Sequence, residues 1–598
     1  MSSDDEDEIH IRIHSRCSAC GFCFEPGDAV CACEPLLPTI LSRHDVLIDA
    51  KRAAVAAKAF GQTRFPDLAY CDNKHGYDWS FCRFPACRRC RASPASLTVH
   101  ALCLRLSCPP DDEGRRPRLR AFLFAAESAR PWRGAPPLAL EPLVEYREAA
   151  LVAGRPNLLR LPPELRLLIW HFADGSPLWS SSAIHNINSA LSACHSEPLV
   201  MRLADVNCWA RGAAAECGHV PTRGLVRLTF DCRGLRRVER LKTRPAVTGA
   251  RSDFLAFVIE PAKEIADVHV TFQLGLAQLQ LPSAKNFHIW DTPCPPPPHR
   301  CLSNWLPRPR VPSHIGTICL QGCTGLTLFV LSGSIYAVHA HTVDAPSAQA
   351  TFNTLSSRLR KYASWVYIPV KGRITELGFS QVSGQVPERL NAIFQTQSFW
   401  FQLKLLVRQP TSGVLVGNYL VGSHELDFYT SQQPLLMFYD KPSDDIPISL
   451  VGAYSKTAIS QSRHDPISIR APRWVEDWSS ATLAGVSTLW IYYVPGTEAC
   501  RGLVVEYDDG QFAFLGQCRV GVDSMVQVTN PKYLCFNNEA YRTPYISAAQ
   551  TAVKVLCTSS VTHTHVRDQS LWSCCEMKGV LTLSSRDGRA TMVYATDD

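Results

Sequence analysis

The residues best suited to chemistry in this chain are cysteines near its start. Cys17-Ser-Ala-Cys20 places two thiols on one short turn, and Gly21-Phe-Cys23 and Glu25-Pro-Gly-Asp28 follow at once. Farther on come Cys82, Cys87-Arg-Arg-Cys90 and His100-Ala-Leu-Cys103. Ligand pairs separated by two residues can face one ion, and four nitrogen or sulfur ligands complete a tetrahedral zinc shell. The candidate ligands are therefore Cys17, Cys20, Cys87, Cys90, His100 and Cys103. That is two more than one ion needs and two fewer than a pair of ions needs. Cys31, Cys33, Cys71 and Cys82 are the reserve from which a further site would be completed. The expected role is structural, because a metal closing the long segment between the pairs substitutes for a core too small to stand alone. Nothing marks an open coordination position or a nearby general base, so a catalytic zinc is not expected. The alternative is a set of reduced thiols packed in a core.

Cysteine usage as a whole favours metal over disulfides. Eleven of the 25 cysteines lie between Cys17 and Cys108, and the others are scattered. An odd total, local clustering and an acidic start, Met1-Ser-Ser-Asp-Asp-Glu-Asp-Glu8, which reads as neither a signal peptide nor a presequence, all point the same way. The cluster has the turn-rich character of a zinc knuckle. Its long insert after Cys33 makes the spacing irregular for a RING-like ligase element.

Other constellations are weaker. His339-Ala-His341 and His563-Thr-His565 would each present two imidazoles on one face of a strand, where they could share a metal. No carboxylate or third histidine at usable spacing completes either site, so structural or solvent-facing histidines are expected. A metal-dependent enzyme using His339 and His341 is the minor alternative. Asp508-Asp-Gly510 reads as a hairpin turn, and Tyr507 or Phe512 beside it could stack on a sugar, as in β-prism lectins. There is no phosphate loop, dinucleotide fingerprint, Gly-x-Ser-x-Gly elbow or kinase signature set. The chain is expected not to be an enzyme.

Composition sets broad bounds. At 598 residues the chain is too long for one core. Its apolar content of 46% and charged content of 19% are those of a folded protein. A net charge of +7 over this length, with no visibly basic face, argues against nucleic acid as a partner. No run approaches the roughly 20 apolar residues of a membrane span, so a cytoplasmic or nuclear setting is the expectation.

The elements that must position these groups follow in order. An acidic, disordered tail (1–14) precedes the cysteine-rich module (15–108). A charged Pro/Arg-rich linker (109–150) contains Asp111-Asp-Glu113 and Arg115-Arg-Pro-Arg118. A helical segment (151–220) gives way to a β-rich region (221–598), interrupted by a proline-rich connector near 294–312. Leu225-Val-Arg-Leu-Thr-Phe230 and Val268-His-Val-Thr-Phe272 read as strands, rich in β-branched and aromatic residues. Gly325–His339, Gly502–Leu515 and Gly579–Tyr594 each read as two strands joined at a Gly-containing turn, so a barrel, sandwich or prism is expected.

The helical segment is built around Leu161-Pro-Pro-Glu-Leu-Arg-Leu-Leu-Ile-Trp-His-Phe172. Adjacent prolines suit a first helical turn, and Glu164 suits its positive end. Leu165, Leu168, Ile169 and Phe172 fall at i, i+3, i+4 and i+7. Leu167 and Trp170 widen that face, which predicts a helix buried on more than one side. These residues resemble the opening of an F-box. The resemblance implies that Leu161, Pro162, Leu165, Ile169 and Phe172 dock on the small adaptor subunit of a cullin–RING ubiquitin ligase, with the β region holding a protein substrate. The F-box's second and third helices are not legible after Asp174-Gly-Ser-Pro177.

The whole order also resembles a group of large filamentous-fungal proteins that join a cysteine-rich segment, an F-box-like helix and a β-rich region. The likeness rests on Gly234-Leu-Arg-Arg-Val-Glu-Arg240, Ile335–Thr342, Trp365-Val-Tyr-Ile-Pro369 and Gly502–Gly510. The expected fold is thus a multidomain α+β chain with a small zinc-stabilised N-terminal module, a short F-box-like helical segment and a large, mainly antiparallel β C-terminal region. The alternative function is a carbohydrate- or ligand-binding β domain in which the helix is only structural.

Overall fold

In the computed structural model the chain is mostly β, with few helices. The structure describes residues 9–33, 62–65, 79–82, 96–109, 115–130, 132, 138–173, 176–193, 198–218, 224–282, 285–297, 300–303, 314–331, 334–384, 400–408, 413–416, 429–441, 447–456, 478–541, 550–565, 571–586 and 589–596. Two compact units are present: residues 1–295 with 308–315, and residues 296–307 with 316–598.

In the first unit, strand Ala29–Cys33 lies between Gln62–Arg64 and Leu97–His100, antiparallel to both. The chain then runs straight from His100 into helix α1 (Ala101–Ser107). Helix α2 (Arg115–Ser128) covers this small sheet, burying Phe122, Leu123 and Ala126 with Val30, Leu97, Val99 and the cysteines of the knuckle. Helix α3 (Pro142–Val152) follows. The expectation of a linker over 109–150 is therefore corrected. The charges at 115–120 are followed by Ala121-Phe-Leu-Phe-Ala-Ala126, an apolar run long enough for a buried helical turn.

Helix α4 (Pro163–Phe172) begins at the second proline, and helix α5 (Pro177–Ala193) supplies a packing partner that the sequence did not make legible. Beyond α5, strands Ala256–Pro261, Leu225–Asp231, Gly234–Leu241 and Val206–Ala210 pair antiparallel in that order. Their inward residues Val226, Leu228, Phe230, Val238 and Val258 form one core with Trp132 and Ile289. Strand Leu199–Arg202 pairs with His269–Gln273, so residues on both sides of position 221 belong to this unit. A period change in hydrophobicity marks a change of element, not a division between compact bodies.

One hairpin tip organises the helices. Arg233 donates to Glu145 at 3.1 Å and also pairs with Glu148, both on α3; Glu148 in turn accepts from Asn186 on α5. Burial raises the Glu145 carboxyl despite the opposing guanidinium. Next to it, Gly234 has φ +93°, and its Cα faces the Ser128 carbonyl at the end of α2.

The second unit is built of antiparallel strands around an apolar core that includes Leu326, Leu328, Ile368, Leu377, Met437 and Phe514. The three expected hairpins form, as Gly325–Leu331 with Ser334–His341, Ala499–Tyr507 with Phe512–Gly516, and Val580–Arg586 with Arg589–Ala595. Each belongs to a different sheet. Of the proline-rich connector, residues 298–299 and 304–313 lie outside the described residues. Among the described residues no helix is long and apolar enough to cross a membrane.

Candidate metal centre

Four of the six expected ligands converge. The ligand atoms of Cys17, Cys20, His100 and Cys103, one from each residue, all lie within 4.8 Å of one another. Tetrahedral coordination at ordinary zinc–sulfur and zinc–nitrogen lengths places ligand atoms roughly 3.3–3.8 Å apart, so the group fits one ion. Cys87 and Cys90 lie outside the described residues. Cys31 and Cys82 are buried and Cys33 is half-buried, and among the described residues none of them joins the group.

Local structure explains the convergence. The knuckle closes when Gly21 N–H donates to the Cys17 carbonyl and Cys17 N–H donates to that of Phe22, both at 2.8 Å. Pairing of Val30 with His100 then brings the end of the Leu97–His100 strand to this turn. The His100 backbone N–H donates to Cys17 Sγ at 3.4 Å, and Cys103 follows in the first turn of α1. His100 Nδ1 faces Cys20 Sγ at 3.4 Å and Cys103 Sγ at 3.8 Å. Its Nε2 faces the Asp28 carboxylate at 3.7 Å. A carboxylate behind a histidine orients the ring and raises its basicity as a ligand. Asp28 is itself held by the Glu25 N–H, which donates to its carboxylate at 2.8 Å.

Charge is unevenly shared within the group. Burial opposes ionisation of Cys17, but hydrogen bonds from Cys103, Cys20 and His100 outweigh it and hold that thiol well below its usual range. Bonding to Cys17 and then to Cys20 drives Cys103 the other way, towards the neutral thiol. Ionisation of Cys17 thus opposes that of Cys103. A divalent cation removes the reason for that restraint, since thiolates are the coordinating form.

The centre also supports helix α4. Phe22, inside the knuckle, lies 5.6 Å from Trp170 of α4, and Trp170 lies 4.8 Å from Trp179 of α5. Trp179 Nε1–H donates to the Ala173 carbonyl at 2.8 Å, and Tyr146 of α3 closes the cluster. The anchored side of α4 therefore carries Trp170 and Ala173, with Arg166 half-buried one turn before Trp170. The opposite stripe is open: Leu165 is 45% exposed, Leu168 49%, Ile169 38% and Phe172 79%. Pro162 is exposed and Leu161 half-buried. The expectation of burial on more than one side is corrected. Among the described residues the tryptophan side of the widened apolar face packs on Phe22 and Trp179, while Leu151, Leu158, Leu167 and Leu178 are further exposed apolar side chains.

The remaining sequence candidates resolve differently. His339 and His341 share a face of strand Ser334–His341, but protein groups meet all four ring nitrogens. His339 Nε2–H donates to the Ala345 carbonyl at 3.1 Å, and Thr351 Oγ1 meets Nδ1 at 2.8 Å. His341 Nδ1–H donates to the Pro346 carbonyl at 2.8 Å, and Thr327 Oγ1 meets Nε2 at 2.7 Å. Tyr507 and Phe512 are buried, and Tyr507 Oη–H donates to the Thr482 carbonyl at 2.9 Å. Neither ring offers a face to a sugar, because alternation puts them on opposite faces of this hairpin and each face is covered by an apolar core.

A second group of possible ligands, Cys535, His563, His565 and Cys574, gathers in the second unit. Sequence reasoning weighed its two histidines and missed its cysteines. The available signal was a His-x-His pair followed nine residues later by Cys574-Cys575. No protein-family model matches the chain, and a search of curated proteins returns no match to it.

Proposed function

We propose that this protein is a non-enzymatic recognition subunit whose helix α4 docks, in the manner of an F-box, on the small adaptor of a cullin–RING ubiquitin ligase. The open stripe Leu165, Leu168, Ile169 and Phe172 carries this reading. A helix fixed to its own protein by one stripe, with a contiguous apolar stripe left outside, has the form of a helix-in-groove anchor. In this reading a zinc ion at Cys17, Cys20, His100 and Cys103 is structural. Thiolate and imidazole ligands suit zinc, and four protein ligands leave no position for a reacting water. The ion holds Phe22 in place beneath Trp170, and so sets the orientation of the docking helix. The large β region holds the protein substrate, and the work takes place in the reducing cytoplasm or nucleus.

The test is binding of the full chain to purified adaptor. Leu168→Glu/Phe172→Glu is the informative variant, since both side chains point away from the core and the fold should survive. Each buried anchor is worth about 2 kcal/mol, so the pair should weaken binding by about 1,000-fold. Trp170→Ala, which removes the internal anchor, should instead lower stability as well as binding. Absence of adaptor binding by the wild-type chain would sink the proposal.

A further inference from the structure

We propose that the second unit contains a metal site of its own, in which Cys535, His563, His565 and Cys574 hold one zinc-type ion. It is independent of the N-terminal centre and shares no residue with it. The ligands come from three places that the topology brings together. Cys535 lies on strand Tyr533–Tyr541, and Cys574 lies directly opposite it on strand Ser573–Glu576. His563 and His565 lie on the connection that follows strand Gln550–Thr558.

The coordinating atoms all fall within 4.8 Å of one another. Cys535 Sγ meets His563 Nε2 at 3.1 Å, and His565 Nε2 meets Cys574 Sγ at 3.1 Å. Both separations fall slightly short of the roughly 3.3–3.8 Å edges of a zinc tetrahedron, so small shifts would close the shell. Two thiol–imidazole hydrogen bonds formed by chance need not converge on one centre; here they do.

The imidazoles are also held in place. The His565 ring stacks on Trp572 at 4.6 Å with 4° between planes, and His563 lies edge-on to His565 at 5.2 Å. The Tyr533 ring flanks His563 at 5.3 Å. Rings fixed by packing lose little freedom when they coordinate, which favours binding. Two sulfurs and two nitrogens select a thiophilic divalent ion over magnesium or calcium, and a full protein shell marks the role as structural.

That role can be stated. Among the described residues, strand Ser573–Glu576 is the last in its sheet, pairs on one side, and has only Cys575 buried. An ion at this site ties that short edge strand, and the connection before it, to Cys535. Cys574 is exposed, whereas all three cysteines of the N-terminal centre are buried. The C-terminal ion is therefore the more accessible, and a chelator should remove it first.

The experiment compares zinc content of the full chain, loaded with zinc under reducing conditions and desalted, between wild type and variants. His563→Ala/His565→Ala should bind one equivalent fewer than wild type, and hydrogen exchange of 571–576 should speed up only in that variant and in chelated wild type. His565→Cys, which keeps a ligand, should retain the equivalent; this separates coordination from a fold that merely needs the ring. Unchanged zinc content in the double histidine variant would overturn the proposal. So would a Cys535–Cys574 disulfide, found by thiol labelling of the protein as purified, because the sulfurs would then be committed to each other.

Discussion

Replacing Cys17 and Cys103 together by serine is expected to cost the chain one equivalent of metal and to loosen residues 9–128 as a unit. Cys20 and His100 are 80 positions apart. Closing a loop of that length costs about 4 kcal/mol of chain entropy, which the ion offsets in the native protein. The apolar cluster beneath it is small, and three of its buried members are the ligand cysteines themselves. Hydrogen exchange in the Ala29–Cys33 and Leu97–His100 strands should therefore rise by about a thousand-fold, the equivalent of about 4 kcal/mol. Chelation of the wild-type chain should reproduce this, and so should acid, since protons compete for the thiolates. Because Phe22 packs on Trp170, the same treatments should weaken adaptor binding while leaving Leu168 and Phe172 intact. A serine variant with wild-type metal content and protection would remove the metal centre from the account.

The second large effect is expected at Gly234. A Cβ at this position would lie 1.6 Å from the Ser128 carbonyl oxygen, and φ is +93°. Neither problem relaxes cheaply. The oxygen belongs to the backbone at the end of α2. Two residues on, Arg130 donates to Ser18 Oγ at 2.9 Å, inside the knuckle. The hairpin tip cannot retreat without pulling Arg233 from Glu145 and Glu148. Positive φ costs a non-glycine residue about 1–2 kcal/mol, and forced overpacking about 1–3 kcal/mol more. Gly234→Ala should thus lower the stability of the first unit by about 3 kcal/mol, read from its urea midpoint. Gly212→Ala is the control: φ is +83° there, but no heavy atom lies within 4 Å of the added carbon. It should cost only the backbone share, about 1 kcal/mol. Equal costs at the two positions would mean that the close approach to α2 carries no weight.

Local rules accounted for the parts of this protein whose causes are local. Glycine-containing turns predicted the hairpins at 325–341, 499–516 and 580–595, because a turn's geometry is set by the few residues within it. Proline and Glu164 predicted the start of α4 for the same reason. Spacing nominated Cys17, Cys20, His100 and Cys103, since two intervening residues determine whether paired ligands can face one ion. That these four meet was a different matter: it depends on Val30 pairing with His100 across a long insert, while Cys87 and Cys90 lie outside the described residues. Whether the apolar stripe of α4 is covered depends on Trp179 and Phe22, neither of which lies within that helix. Cys535 and Cys574 become neighbours only because two strands pair in one register. Tyr507 and Phe512 are hidden only because both faces of their hairpin meet apolar cores. Periodicity states which side chains share a face, while the partner that face meets is chosen by contacts distant in the chain.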